Sequence, residues 1–227
     1  MTMIASERLP ATRLPRRWTL ADLQQHLGGI PLERIRLYPP PGLATEEHVV
    51  QLAAHEDRLY ELEDGVLVEK AVGWYESLVA VLIVTELNKF LETNDLGQVL
   101  GADGTLRILP GIVKIPDVSF LSWSRFPKEG LSRRPIPSLV PDLAVEVLSE
   151  TNTPQEMARK RKQYFRAGVR LVWQIDPAAR TAEAYTSPAD VCRVDENGTL
   201  DGGDVLPGFR LSLRDLFARA DRRGPAE

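Results

Sequence analysis

Two acidic residues, Asp117 and Glu146, stand in runs that are rich in Val, Ile, Leu and Phe. Such runs are typical of strands that are buried on both faces. An ionised carboxylate is unfavourable in that setting unless it is paired or binds a cation. Two carboxylates at neighbouring strand ends would repel each other and attract a divalent metal, and their hard oxygens suit Mg²⁺ or Mn²⁺. The sequence therefore favours a metal site at Asp117 and Glu146.

A basic helix follows the second of these carboxylates. A Thr-Pro-x-Glu start and a glycine stop predict it over Thr153–Gly168. Because residues three and four apart share one face of a helix, Lys160 falls on the apolar stripe with Met157 and Tyr164. Lys160 is therefore the basic residue expected to face the carboxylates, although an ion pair with Glu156, four residues earlier, would explain it equally well. A second stripe is expected to face solvent and holds Arg159, Lys162 and Arg166.

Five segments of the chain occur in an order that resembles a known family. They are GWYESL at 73–78, KIPDVSF at 114–120, PDLAVEVLS at 141–149, K-x-x-x-Y-x-x-x-G-V at 160–169 and VWQIDP at 172–177. Together they resemble the Uma family of restriction endonucleases, a branch of the PD-(D/E)XK nuclease superfamily. The resemblance extends over roughly Arg58 to Phe217, and the ordered set is far more specific than any single segment.

This resemblance implies a fold, a reaction and a set of site residues. The fold would be a restriction-endonuclease-like α/β core, with a mixed β-sheet flanked by helices. The reaction would be the metal-dependent hydrolysis of phosphodiester bonds in DNA, with Asp117, Glu146 and the Val147 carbonyl as ligands of Mg²⁺ or Mn²⁺. The superfamily usually carries a lysine two residues after the second carboxylate, but Leu148 stands there, so Lys160 is the candidate replacement.

Glu76 is a further candidate, in the first turn of a helix predicted over Trp74–Glu92. A glutamate at that position is favoured by the helix dipole, which is one sufficient explanation. The resemblance adds a second, since a glutamate on the first core helix can face the metal site in this superfamily. Glu76 is therefore a candidate auxiliary catalytic residue.

Three other interpretations of these residues stay open. The carboxylates and Lys160 could form a buried ion-pair cluster that binds no metal. The protein could keep the nuclease fold and bind nucleic acid without cleaving it. The reason for this alternative is Leu148, which stands where the superfamily usually carries a lysine. It could also be a homodimeric regulatory module whose interface uses the N-terminal helices.

The chain is expected to divide into three parts. Residues 1–57 would form an arm and accessory helices, residues 58–220 the nuclease-like domain, and residues 221–227 a disordered tail. Within them the patterns predict a helix from Thr19 to Gly28, a linker over Pro31–Gly42, a helix over Thr45–His55, a hairpin around Asp64-Gly65, two short strands around Asp103-Gly104, a parallel strand over Val169–Ile175 and a last helix capped by Ser212.

Composition limits the partners and the compartment. The chain has 227 residues, 43% of them hydrophobic, which suffices for one large domain. No apolar run approaches the length of a membrane span, and one cysteine, Cys192, fits a reducing cytoplasm. The net charge of −4 does not favour non-specific coating of nucleic acid. Local basic clusters could still flank DNA, and they comprise Arg125, Lys128, Arg133, Arg134 and the six basic residues within 159–170.

Overall fold

The computed structural model describes residues 14–15, 18–71, 73–128, 130 and 133–224. The predicted arm therefore lies largely outside the described residues, as does the end of the predicted tail. The described helices are α1 (Leu20–His26), α2 (Glu46–His55), α3 (Trp74–Leu91), α4 (Pro154–Ala167) and α5 (Leu213–Ala220), with a short 3₁₀ turn at Leu32–Arg34. None of these helices has the length and apolar character that a membrane span requires.

Thirteen strands occur within the described residues. They are β1 (Ile35–Arg36), β2 (Tyr60–Glu63), β3 (Val66–Glu69), β4 (Gly97–Leu100), β5 (Leu106–Leu109), β6 (Ile112–Lys114), β7 (Val118–Ser122), β8 (Leu143–Val147), β9 (Leu171–Asp176), β10 (Thr181–Tyr185), β11 (Val191–Val194), β12 (Thr199–Asp201) and β13 (Arg210–Ser212). The fold is therefore a mixture of helices and sheets, as predicted.

A six-stranded sheet, here called the main sheet, is the centre of the fold. Its strand order is β11-β10-β9-β8-β7-β4. Only β8 and β9 pair in parallel, and α4 connects them, as the strand-helix-strand pattern predicted. All the other pairs in this sheet are antiparallel, so the sheet is mixed.

The two faces of the main sheet carry different side chains. One face packs on α3 and α5, and its core includes Val118, Val145 and Trp173. Successive strand residues point to opposite faces, so Ala144 and Glu146 point toward α4 on the other face. The packing of Ala144 with Tyr164 of α4 agrees with that alternation.

A second sheet, here called the front sheet, has the order β1-β3-β2-β6-β5. The predicted hairpin forms its β2 and β3, and the turn has positive φ at Asp64 (49°) and Gly65 (80°). Two such residues are typical of the tight turn that matches strand twist. The strands predicted around Asp103-Gly104 exist as β4 and β5, but they lie in different sheets, β4 beside β7 and β5 beside β6.

The predicted linker over Pro31–Gly42 is wrong in part. Ile35 and Arg36 form β1 and pair with β3, with Ile35 opposite Val68. Two residues are too few for a recognisable alternating pattern, so only the neighbouring strand reveals this one.

The N-terminal segment also contacts the start of α4. The hydroxyl of Thr153 donates to the Gly28 carbonyl. A Cβ at Gly28, whose φ is +90°, would lie 2.5 Å from the Glu156 nitrogen, so a glycine is needed there. The division at residue 57 stays a prediction.

Candidate active site

The register of β7 and β8 brings Asp117 and Glu146 together. Val118 lies opposite Val145, so Asp117 and Glu146 are the next opposed positions. The Asp117 amide donates to the Val145 carbonyl at 3.0 Å, which continues the ladder to that point. The two carboxylates therefore lie side by side at the end of the strand pair, on the face covered by α4.

Asp117 is the more open of the two carboxylates, with 15% of its side chain exposed. Its Oδ2 accepts a hydrogen bond from the Val147 amide at 2.7 Å. Its Oδ1 lies 3.0 Å from the ammonium of Lys70, which directly follows β3. Lys70 is not among the site residues expected from the sequence.

Glu146 is buried, and its two oxygens have side-chain partners from α4. Its Oε1 accepts from the Tyr164 hydroxyl at 2.5 Å, and its Oε2 accepts from Lys160 at 3.0 Å. Burial raises the pKa of Glu146, and the charges of Asp117 and Glu61 raise it further, against the opposing effect of Lys160. Lys160 and Tyr164 are therefore the groups that favour its ionised form.

Lys160 faces the carboxylates. Besides Glu146, it contacts Glu61 Oε1 at 3.0 Å. Burial alone would lower the pKa of Lys160, but the charges of Glu146 and Glu61 outweigh burial and raise it. The alternative ion pair with Glu156 does not form, because the Glu156 carboxylate binds the Arg34 guanidinium through two hydrogen bonds of 2.8 and 3.0 Å.

The front sheet contributes a buried carboxylate that the sequence patterns did not single out. Glu61 of β2 lies opposite Lys114 of β6, with Glu61 Oε2 at 3.1 Å from the ammonium. The Ile115 amide donates to Glu61 Oε1 at 3.2 Å. Burial raises the pKa of Glu61, but the charges of Lys114 and Lys160 outweigh burial and lower it to about 2. Glu61 is therefore a stable anion between two lysines.

These contacts form a continuous network, here called the buried cluster, which consists of Glu61, Glu63, Lys114, Glu146 and Lys160. Lys70 and Asp117 are here called the rim pair. The alternation of β2 could have identified Glu61 and Glu63 as one face of the strand. It could not show that this face is buried, because half-buried hairpins carry the same pattern on their solvent side.

The prediction that Arg159 faces solvent is wrong. Its guanidinium lies 3.0 Å from Glu63 and 3.0 Å from Asp64, in the hairpin of the front sheet. The reason is tertiary, since this hairpin covers that side of α4. Lys162 and Arg166 are exposed, as predicted.

Glu76 lies apart from the paired carboxylates. Its carboxylate folds back on Gly73, the N-cap of α3, so closely that a Cβ at position 73 would clash with Glu76 Oε2. Within the described residues it joins no group of three or more acidic, His or Cys side chains that could hold a metal, so it does not extend the Asp117 and Glu146 pair. It instead lines a groove of about 1280 Å³, which Leu148, just past the end of β8, also lines.

The four basic residues predicted to cluster before β8 differ in their contacts and exposure. Arg125 donates to the carbonyls of Val140, Pro141 and Gly168 and pairs with Asp142 at 3.0 Å, so it stabilises the chain just before β8. The other three members are exposed and comprise Lys128, Arg133 and Arg134.

The paired carboxylates suit a hard divalent cation. In the described part of the chain, no group of three or more His, Cys, Asp or Glu side chains is arranged to hold a metal. Mg²⁺ in proteins is commonly bound by one or two carboxylates, with water and phosphate oxygens in its other positions. Asp117 and Glu146 match that donor set, and the Val147 carbonyl is an additional oxygen on the same strand. The residues therefore fit Mg²⁺ or Mn²⁺.

Comparisons with known proteins agree with this architecture. The sequence model of the Uma2 family, described as "Putative restriction endonuclease", matches residues 46–214. Among solved structures, the protein is similar to a "putative nuclease belonging to DUF820" from Anabaena variabilis, with 18% sequence identity, a TM-score of 0.64, and coverage of 73% of this chain and 93% of that one. At that identity the likeness establishes the fold. A comparison with the curated proteins finds no match. The chain therefore belongs to the Uma2 family and has a restriction-endonuclease-like fold.

Proposed function

We propose that the protein is an endonuclease that hydrolyses phosphodiester bonds in DNA with the help of Mg²⁺ or Mn²⁺. The observation that carries this proposal is the opposed pair Asp117 and Glu146, with Lys160 at 3.0 Å from Glu146. Membership of the Uma2 family supports a nuclease, while the metal and the DNA substrate are our inferences.

In this proposal Asp117, Glu146 and the Val147 carbonyl hold the metal. A divalent cation bound there would lower the pKa of a water ligand and neutralise charge that develops on the phosphate. The role expected for Lys160 from the sequence is to orient that water or to stabilise the transition state. Its contacts with Glu61 and Glu146 favour a positioning role, in which it keeps the Glu146 carboxylate ionised and in a fixed orientation. Glu76, which lines the groove beside Leu148, would keep the auxiliary role expected from the sequence.

We extend the proposal to the substrate and the setting. Exposed Lys128, Arg133 and Arg134 can contact DNA phosphates without reading sequence. The free thiol of Cys192 is in keeping with a reducing cytoplasm. We also propose a homodimer, which analytical ultracentrifugation would test.

A second candidate function has its own observation. Each oxygen of Asp117 and Glu146 already has a protein donor among the described residues, namely Lys70, the Val147 amide, Lys160 and Tyr164. That arrangement favours a nuclease-fold protein that binds DNA without cleaving it. Such a protein would keep its DNA affinity when Asp117 is changed.

The experiment that tests the first proposal is calorimetric titration of Mn²⁺ and Mg²⁺, together with cleavage of plasmid and single-stranded DNA. Asp117→Asn preserves shape and removes charge, and we expect it to abolish both metal binding and cleavage. The matched control is Asp204→Asn, at an exposed position in a turn, which should leave both unchanged. Failure of the wild-type protein to bind either metal at millimolar concentration would refute the proposal.

A further inference from the structure

Lys70 is a buried cation that directly follows β3. Its backbone amide donates to the Leu59 carbonyl at 2.8 Å, which continues the β2–β3 hairpin. Its side chain is 5% exposed and ends between two oxygens, Asp117 Oδ1 at 3.0 Å and the Ala102 carbonyl at 2.8 Å. One of these partners is charged and the other is neutral.

The two oxygens of Asp117 are held in different ways. Oδ2 is bound by the backbone amide of Val147, which belongs to the β8 strand and cannot move away without breaking the sheet. Oδ1 is held by a lysine side chain, which has rotatable bonds and a second acceptor nearby. Oδ1 is therefore the oxygen at which another cation can compete.

Lys160 lacks this freedom. It lies between Glu146 and Glu61, whose side chains are only 6% and 4% exposed, and its departure would leave two buried anions. Departure of Lys70 would leave Asp117, which is 15% exposed and keeps its bond to the Val147 amide. The carboxylate that is left behind is therefore less costly to uncover at Lys70 than at Lys160.

We propose that Lys70 is a displaceable internal cation, which occupies Asp117 Oδ1 until a divalent metal binds there and then faces the phosphate beside that metal. The second half rests on the proposed function. The Ala102 carbonyl keeps the displaced ammonium close to the site. Lys70 thereby supplies the charge that Leu148, the residue after β8, cannot supply.

The first test measures metal binding in the absence of DNA. Mn²⁺ is titrated calorimetrically into wild type, Lys70→Met and the control Lys89→Met, an exposed lysine of α3 paired with Glu86. Removal of a competing charge a few ångströms away should tighten Mn²⁺ binding to Lys70→Met by about tenfold. Lys89→Met should match wild type.

Two further variants keep this test decisive. Lys70→Gln retains hydrogen-bond donors toward Asp117 and Ala102 but has no charge, so it should also bind Mn²⁺ more tightly, and it replaces Lys70→Met if that variant does not fold. The double variant Lys70→Met/Asp117→Asn should lose Mn²⁺ binding, as Asp117→Asn does, which assigns the tighter binding to Asp117. The same gain should appear as a larger rise of Tm on addition of Mn²⁺.

The second test measures cleavage. Under saturating Mn²⁺, Lys70→Met should lose kcat by about 100-fold, the effect of removing one preorganised charge from a transition state. Tighter metal binding together with slower cleavage is a combination that a purely structural lysine does not produce.

The outcomes separate this inference from the proposed function. Equal or weaker Mn²⁺ binding by folded Lys70→Met and Lys70→Gln would overturn the inference, even if the wild-type protein cleaves DNA. Tighter binding in these variants, with no cleavage by wild type on any substrate, would retain the displaceable cation and remove the endonuclease proposal. Absence of Mn²⁺ binding in wild type and all variants would overturn both.

Discussion

Lys160 and Lys70 each form an ion pair with one of the two opposed carboxylates, but they lie in different surroundings. Lys160 belongs to the buried cluster and contacts two buried anions. Lys70 belongs to the rim pair and contacts one partly exposed anion and one neutral carbonyl. A lysine paired with a carboxylate therefore serves as a fixed support in one place and as an exchangeable contact in the other.

The difference follows from desolvation. A buried charge that loses its partner is strongly destabilising, whereas solvent compensates an exposed charge. The buried cluster also joins the two sheets through α4, since Glu61 and Lys114 come from the front sheet, Glu146 from the main sheet and Lys160 from the helix. The chain can thus keep Glu146 in place while Asp117 exchanges its cation.

The largest expected effect is the loss of the central lysine. Lys160→Met leaves Glu61 and Glu146 buried without their shared cation and should lower the free energy of unfolding by about 3–5 kcal/mol. Urea denaturation measures this loss. The matched control is Lys162→Met, at an exposed position on the same helix, which should change stability little. A loss for Lys160→Met no larger than that of the control would contradict the comparison.

The next effect is at Glu61 and depends on pH. At neutral pH, Glu61→Gln should cost about 2 kcal/mol, because charge-assisted hydrogen bonds to two lysines are lost. The pKa of Glu61 is lowered from 4.5 to about 2, so its contribution is complete above 4.5 and is lost as the pH falls toward 2. The stability difference between wild type and Glu61→Gln should therefore shrink in acid, as measured by urea denaturation across that range. A constant difference would mean that Glu61 acts through shape alone.

A smaller effect is expected at the rim pair in metal-free buffer. Lys70→Met should cost about 1 kcal/mol, since Asp117 keeps the Val147 amide and some contact with water. Denaturation in the presence of EDTA measures it beside Lys160→Met. Equal losses in the free energy of unfolding for Lys70→Met and Lys160→Met would show that the two lysines do not differ as fixed support and exchangeable contact.

The smallest effect sets the baseline for an exposed pair. Arg193 pairs with Glu183 at 3.0 Å, but 76% of the arginine side chain is exposed. Arg193→Ala should change the free energy of unfolding by less than about 0.5 kcal/mol. A loss as large as that of Lys70→Met would show that exposure does not rank these ion pairs.

Much of the site was predictable because its signals are local. Asp117 and Glu146 stand out as charges inside apolar runs, and the capping pattern of α4 determines which side of the helix Lys160 occupies. These inferences need only the periods of strands and helices. The parallel crossover from β8 through α4 to β9 followed from the same local patterns.

Other parts of the site depend on long-range pairing. Glu61, Lys114 and Lys70 come from the front sheet, and no local pattern shows that this sheet lies against α4. The same reason explains why β4 and β5, adjacent in sequence, could not be assigned to different sheets, and why Arg159 was expected at the surface.

The sequence by itself singled out Asp117 and Glu146, the helix that carries Lys160 and the family, because each rests on residues close together in the chain or on ordered motifs. Only the tertiary structure decided that Lys160 has a second carboxylate partner and that Asp117 has a lysine of its own. The physical reason is burial: whether a charged side chain faces water or an opposite charge depends on which distant strand covers it.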